Sequence, residues 1–203
     1  MEDSGRGLAL FDFDGTITTR DTMFAFVLHC RGPVRFAAGL LWLSPWLVGY
    51  ALKLVPNDVA KSRLLRHFLA GASRSELTAW STSFADAVDA MVRPGAKERL
   101  QWHRAQGHDV VLVSASLDLW VRPWAERHGV RLLCTEGRFD GDLFSGDLST
   151  PNCHGPEKET RIRAAMKLED YARIWSYGDS SGDAEMLALA HETSFRPFRS
   201  PPG

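Results

Sequence analysis

The chain has 203 residues, long enough for one full core, or for a core domain carrying a smaller inserted lid. Lys and Arg total 24 against 25 for Asp and Glu, a formal charge of -1, so no global field recruits nucleic acid and specificity has to come from a site. Cys30, Cys134 and Cys153 are widely spaced with no Cys-x-x-Cys pair, which argues against a disulfide framework, a structural zinc or a redox centre and suits a reducing cytoplasm.

The opening MEDSGRGLALFDFDG carries two acids where a signal peptide has a basic stretch, so export is not expected. Leu8 to Phe13 is apolar apart from Asp12 and is closed by Asp14 and Gly15, the pattern of a short buried strand ending in a tight turn. Asp12 and Asp14, two apart, are expected on one side of that strand, one as nucleophile and the other as proton donor. The stretch from Thr22 to Met91 has helical periods and no convincing strand, and is too long for a simple crossover, so it reads as an inserted helical cap.

Within the cap, Phe36 to Val55 is an apolar run interrupted by Ser44, Pro45, Lys53 and small residues, about the length of a bilayer crossing. Two readings stand. One is a buried helical hairpin broken at Ser44 and Pro45; the other is membrane contact, with Trp42, Trp46 and Tyr50 at a lipid interface and Arg31, Arg35 and Lys53 meeting anionic headgroups. The last cap helix is marked by a capping box, Ser73 and Glu76, with Leu77, Trp80, Phe84, Val88 and Met91 on one face. Pro94 and Gly95 mark the return to the core, which gives a core of 1–20 and 93–203 and a cap of 21–92.

Val110 to Val113 is a second buried strand, ending in Ser114, and Leu117 to His128 a helix stopped by Gly129. GRFDGDLFSGD reads as a hairpin turning at Asp140 and Gly141, and Ile174 to Tyr177 is a third strand, ending in Gly178 and Asp179. The terminal SPPG is expected to be a loose end. Strand and helix alternate, so the fold class is α/β: a doubly wound, Rossmann-like parallel sheet with an inserted α-helical cap and a small β-hairpin insertion. Ligands of such sheets bind outside the carboxyl ends of the strands, where the three polar endings converge.

The chemistry of these endings is coherent. A carboxylate attacking a phosphate dianion is opposed by like-charge repulsion, so it needs a divalent cation and positive donors around the transferred group. Asp179 and Asp183 add hard oxygen ligands suited to magnesium, Lys158 offers a point charge, and Ser114 a hydroxyl. Taken singly, a Lys in an EKETR run more often forms helix salt bridges and a Ser after a strand often caps a helix. His154 is a loop residue rather than a zinc ligand, and Cys153 has no activating base in sequence.

FDFDGT, the Ser of VLVSAS, the Lys of HGPEKETRI and the paired acids of GDSSGD, in this order, resemble the haloacid dehalogenase superfamily from Leu8 to about Leu189. The resemblance implies that Asp12 attacks phosphorus while Asp14 protonates the leaving group and then activates water. It implies magnesium on Asp12, Asp179 and the backbone carbonyl of Asp14, with Asp183 close by, and a phosphate held by Gly15, Thr16, Ser114, Ala115 and Lys158.

A helical cap with a hairpin before the Lys resembles the branch containing phosphoserine phosphatase. Against that branch, Asp21 stands for a Glu, Ser114-Ala115-Ser116 for Ser-Gly-Gly, and Gly182 for an Asn. The apolar run and PNCHGPEK look like a bacterial subgroup with phosphatidylglycerophosphatase C-type proteins. The expected partner is therefore a lipid or small-molecule phosphomonoester, with peripheral membrane contact through the cap, in the cytoplasm or at the inner face of the cell membrane. A membrane-docked module without catalysis stands as the alternative of another class.

Overall fold

The computed structural model describes residues 6–199, so the SPPG end lies outside the described residues. Its centre is β1 (Gly7–Phe11), flanked by two parallel neighbours, β2 (Asp109–Leu117) and β6 (Arg173–Gly178). β3 (Arg131–Thr135) extends the sheet beyond β2, and β7 (Glu192–Phe195) extends it beyond β6, giving the all-parallel order β3-β2-β1-β6-β7. The doubly wound α/β reading is therefore correct, with two edge strands added to the three expected. Strand residues alternate between two cores as a period of two requires: Ala9, Phe11, Val110, Leu112 and Tyr177 on one face, Leu8, Leu10, Val111, Val113 and Ile174 on the other. Burial on both faces is why these strands read as continuous apolar runs.

β1 is shorter than expected and stops at Phe11. Asp12 remains extended, donating its N–H to Tyr177 O at 2.9 Å, but Phe13–Ile17 then close into one wide turn sealed by Thr18 N to Phe13 O at 3.0 Å. The expectation that Asp12 and Asp14 share a strand face is thus corrected: Asp14 is carried by the turn, not by the pleat. Gly15 makes that turn possible, since its φ of 81° lies in the left-handed region and a Cβ there would run into the Asp179 carboxylate.

Four α-helices lie between β1 and β2, and the first three are α1 (Thr22–Ala51), α2 (Asn57–Leu69) and α3 (Arg74–Asp89). Asp21 caps α1, its carboxylate accepting from the N–H groups of Met23 at 2.8 Å and Phe24 at 3.2 Å. The helix kinks at Gly32, φ 73°, yet continues through Ser44 and Pro45, so the expected break into a hairpin does not occur. Leu40, Leu43 and Leu47 pack one stripe of α1 into the core, and that packing outweighs the lost proline donor. Among the described residues no helix is long and apolar enough to cross a membrane.

α3 opens with the expected capping box, Ser73 Oγ accepting from Glu76 N at 3.2 Å and Glu76 Oε2 accepting from Ser73 N at 2.9 Å. Leu77, Phe84 and Val88 are buried, as is Met91 just past its end, while Trp80 is half-buried. α4 (Pro94–Ala105) leads into β2, and α5 (Asp118–Arg127) starts one residue late because β2 runs through Leu117. β4 (Gly137–Asp140) and β5 (Leu143–Leu148) form the hairpin turning after Asp140. It is bonded to the end of the α2–α3 connection and the start of α3 through Gly71 N to Phe144 O at 2.9 Å, Phe144 N to Ala72 O at 2.9 Å and Arg74 N to Asp142 O at 3.0 Å. α6 (Pro156–Ala165) and α7 (Ala184–Ala188) complete the chain's helices among the described residues.

Candidate active site

The strand order reverses at β1, between β2 and β6, and the crevice beyond their carboxyl ends is the expected binding place in such a sheet. Asp12 leaves β1 there, 7% exposed. α6 brings up Lys158, itself 1% exposed, whose Nζ donates to Asp12 Oδ1 at 2.6 Å, Asp183 Oδ1 at 2.6 Å and Val113 O at 2.8 Å. All three ammonium hydrogens are thereby used, which is what makes so buried a charge tolerable. Asp183, just after β6, accepts at Oδ2 from the N–H groups of Asp179 at 3.0 Å and Ser180 at 2.9 Å.

The electrostatics follow from this packing. Burial, with Asp183 and Asp14 adding to it, lifts the Asp12 pKa to about 7 even though Lys158 opposes the shift. Burial also works against the charge of Asp183, but Lys158 and the backbone donors outweigh it and hold the carboxyl below the usual range. Burial and then Asp183 push the Asp179 carboxyl upward, against the pull of Arg199, whose guanidinium lies 3.0 Å from Asp179 Oδ2. Burial works against the Lys158 ammonium, yet Asp12 and Asp183 together keep it charged.

Asp12, Asp179 and Asp183 each present a carboxylate oxygen within 4.8 Å of the others, a group able to hold a cation. The donor set is all hard oxygen, and Lys158 with the partly exposed Arg199 against three carboxylates still leaves negative charge there, which fits a divalent cation such as magnesium. Asp14 stands apart from that group: its Oδ1 accepts from Thr22 N at 2.6 Å and its Oδ2 from Ser116 Oγ at 2.5 Å. Thr16 Oγ1 donates to Asp12 Oδ2 at 3.1 Å. Ser114 is buried below the surface of the crevice, its Oγ accepting from Ser116 N at 3.0 Å, so Ala115 and Ser116 are what the crevice exposes.

A cavity of about 330 Å³ stands over these groups. Its floor is Asp12, Asp14, Lys158, Asp179 and Asp183; its far wall is Met23, Phe24, Leu47, Tyr50 and Leu64 from α1 and α2, with Asp21 at the start of α1. His154 also lines it, and its ring fills the space where a side chain at position 182 would stand, which accounts for Gly182. The three cysteines are free thiols, and burial pushes Cys153 up to about 11 and Cys30 up to about 12, so neither is poised as a nucleophile at neutral pH.

Two polar residues that hold the cavity together, Lys61 and Ser116, were given no role by the sequence reading. Lys61 on α2 donates to Ala115 O at 2.5 Å and to Asn152 Oδ1 at 2.7 Å, joining the helical insertion to the strand ends. Burial brings its pKa down to about 8, against the pull of Asp14 and Asp21. Ser116 is the other, through its bond to Asp14. Lys61 sits in an ordinary-looking amphipathic helix and offered no signal; Ser116 did offer one, as the second departure from a Ser-Gly-Gly pattern.

A family model described as haloacid dehalogenase-like hydrolase matches residues 9–188. The protein CicA of Caulobacter vibrioides is 37% identical over 202 residues, covering 96% of this chain and 88% of that protein. A protein of unknown function from Bordetella pertussis Tohama I superposes with a TM-score of 0.81 at 24% identity, over 93% of this chain and 89% of the other. A substrate-bound phosphoserine phosphatase superposes with a TM-score of 0.64 at 16% identity, over 94% and 85% of the two chains.

Proposed function

From its membership of the haloacid dehalogenase-like hydrolase family, to which the chain belongs, we propose that this phosphatase is magnesium-dependent, attacks phosphorus with Asp12 and passes through an aspartyl-phosphate. The carrying observation is the meeting of Asp12, Lys158, Asp179 and Asp183 at one strand end, Lys158 Nζ lying 2.6 Å from both Asp12 and Asp183. An Asp12 oxygen forms the new bond to phosphorus as the ester oxygen leaves, and Asp14 gives that oxygen a proton. Asp14 then takes a proton from the water that attacks phosphorus, which frees Asp12 and releases inorganic phosphate.

Ser116 Oγ and Thr22 N fix Asp14 for both transfers, and Lys158 balances negative charge beside the transferred group. Asp12, Asp179 and the Asp14 carbonyl would hold magnesium, with Asp183 supporting Lys158 and the adjoining loop. Bound there, the ion supplies the positive charge that lets a carboxylate approach a phosphate dianion. Residues 21–92 act in this scheme as a cap over a core of 1–20 and 93–203, and Gly15, Thr16 and Ala115 shape the phosphate's seat.

For the substrate we favour a phosphomonoester with an apolar body, a phospholipid phosphate such as phosphatidylglycerophosphate, because Met23, Phe24, Leu47 and Leu64 wall the cavity. A second reading, a small soluble metabolite such as phosphoserine, is favoured by the polar groups Asp21, Asn57 and Lys61 in the same cavity. The test is magnesium-dependent phosphate release from phosphatidylglycerophosphate in mixed micelles, from phosphoserine and from a panel of sugar and nucleotide phosphates. Preference for the lipid supports the first reading and preference for a soluble ester the second. Release from none of them, with and without magnesium, would sink the catalytic assignment.

A further inference from the structure

α1 is apolar on two sides. Its inner stripe of Leu40, Leu43 and Leu47 belongs to the core, whereas an outer stripe at seven-residue spacing, Val34, Leu41 and Val48, faces away, with Trp42 beside it and Leu52 just past the helix end. Val34 is 81% exposed, Leu41 77% and Trp42 75%, and Leu54 beyond the helix end is 77% exposed. A surface helix in water carries polar residues on its outer face, so an outer stripe of this kind marks a face that meets something apolar.

The charge around that face selects its partner. Residues 22–57 contain no Asp or Glu, while Arg35 and Lys53 lie exposed among them. From α2, Arg63 stacks its guanidinium over the Trp46 ring, 3.4 Å from the centroid, adding a cation beside the stripe. Apolar side chains framed by cations with no acid between them complement an anionic lipid surface, where tryptophans sit at headgroup depth and lysine and arginine meet phosphate. Leu47 and Tyr50 wall the active-site cavity from the turns of α1 whose other side carries Trp46 and Val48, so the cavity stands directly behind the exposed stripe.

We propose that the outer face of α1, from Val34 to Leu54, docks peripherally on a bilayer containing anionic phospholipid. This names the partner of the lipid-phosphatase reading and rests on it. No helix among the described residues crosses the membrane in this arrangement; the apolar side chains enter the headgroup boundary while the cations engage phosphate.

The experiment is flotation of purified protein with vesicles of phosphatidylcholine alone and of phosphatidylcholine with phosphatidylglycerol, at low and high salt. Wild type is expected to float with the anionic vesicles, and less so as salt rises. Leu41→Asp with Trp42→Asp should lower the partition coefficient at least about tenfold, and Arg35→Glu with Lys53→Glu should do the same on anionic vesicles only. Magnesium-dependent turnover of p-nitrophenyl phosphate, unchanged in both variants, shows that they remain folded. Wild type failing to float, or the variants floating equally well, overturns the proposal. So does light scattering that finds a dimer dissolved by Leu41→Asp with Trp42→Asp, which would give the face to a second copy of the chain. Flotation with no phosphate release from micellar phosphatidylglycerophosphate instead removes the lipid substrate and leaves the docking face standing.

Discussion

Replacing Lys61 with Met separates stability from catalysis. In the fold its pKa falls from 10.5 to about 8, so at pH 7, where folded and unfolded chains both hold the proton, keeping the charge buried costs the folded state about 3 kcal/mol. Methionine removes that cost and fills similar space. Against it stand two lost hydrogen bonds. Asn152 Oδ1 keeps a donor in Thr135 Oγ1 at 3.1 Å, while Ala115 O loses the Lys61 bond, a loss of about 1–3 kcal/mol in all.

The two effects nearly cancel, so urea unfolding at pH 7 should give a stability within about 1 kcal/mol of wild type. Catalysis should not escape. Ala115 adjoins Ser116, whose hydroxyl holds Asp14, and a displacement of that loop by a fraction of an ångström should lower kcat about 10- to 100-fold in a magnesium-dependent phosphate-release assay. The alkaline limb of kcat/KM near pH 8, set by the loss of the Lys61 charge in the free enzyme, should vanish with it. A variant destabilised by several kcal/mol with an unchanged kcat would refute this account.

Asp12→Asn should abolish phosphate release, by at least about a thousandfold, while circular dichroism and the unfolding midpoint stay close to wild type; near-normal turnover would remove Asp12 as nucleophile. Gly15→Ala should cost about 1–3 kcal/mol and most activity, because the new methyl meets both a left-handed φ and the Asp179 carboxylate, and thermal unfolding with a kcat measurement checks it. His103 is buried between His108 and Tyr177, and burial, with the neighbouring His108 and Arg99 charges, holds its pKa near 3, so between about pH 6.5 and pH 3 the unfolded chain binds a proton the folded chain refuses. Stability is therefore lost as pH falls through that window, by about 1–2 kcal/mol at pH 5, and His103→Phe should flatten the change in urea midpoint between pH 7.5 and pH 5. Equal acid sensitivity in the two proteins would exclude His103 as its source.

The three central strands were readable because both of their faces are buried and their sequences are correspondingly apolar. β3 and β7 were not: each lies at a sheet edge, and in β7 three of four residues, Glu192, Thr193 and Phe195, are exposed, so no apolar run sets it apart from a loop. The acids of the site were legible because carboxylates at the ends of buried strands are costly without a task. How Asp14 arrives was not, because the wide turn at Phe13–Ile17 depends on backbone hydrogen bonds that no residue pattern announces. Pro45 misled for a related reason: local preference marks a break, and packing of Leu43 and Leu47 decides otherwise. Lys61 is the clearest case of information held only in three dimensions, since its partners Ala115 and Asn152 are remote in sequence and bear no charge.

The hairpin of β4 and β5 grips the chain from Gly71 to Arg74 with three backbone hydrogen bonds, and those bonds constrain how α1, α2 and α3 can move. A swing of the whole helical insertion away from the sheet would tear all three, so this side behaves as a pivot. Opposite it, among the described residues, the hydrogen bonds that tie α1 and α2 beside the cavity each involve a side chain, as in Thr22 N to Asp14 Oδ1 and Lys61 Nζ to Ala115 O. The expected opening for substrate entry and product exit is therefore a one-sided peel at the junction of α1 and α2, so amide exchange during turnover should quicken around Tyr50 and Asn57 while Ala72 and Phe144 stay protected.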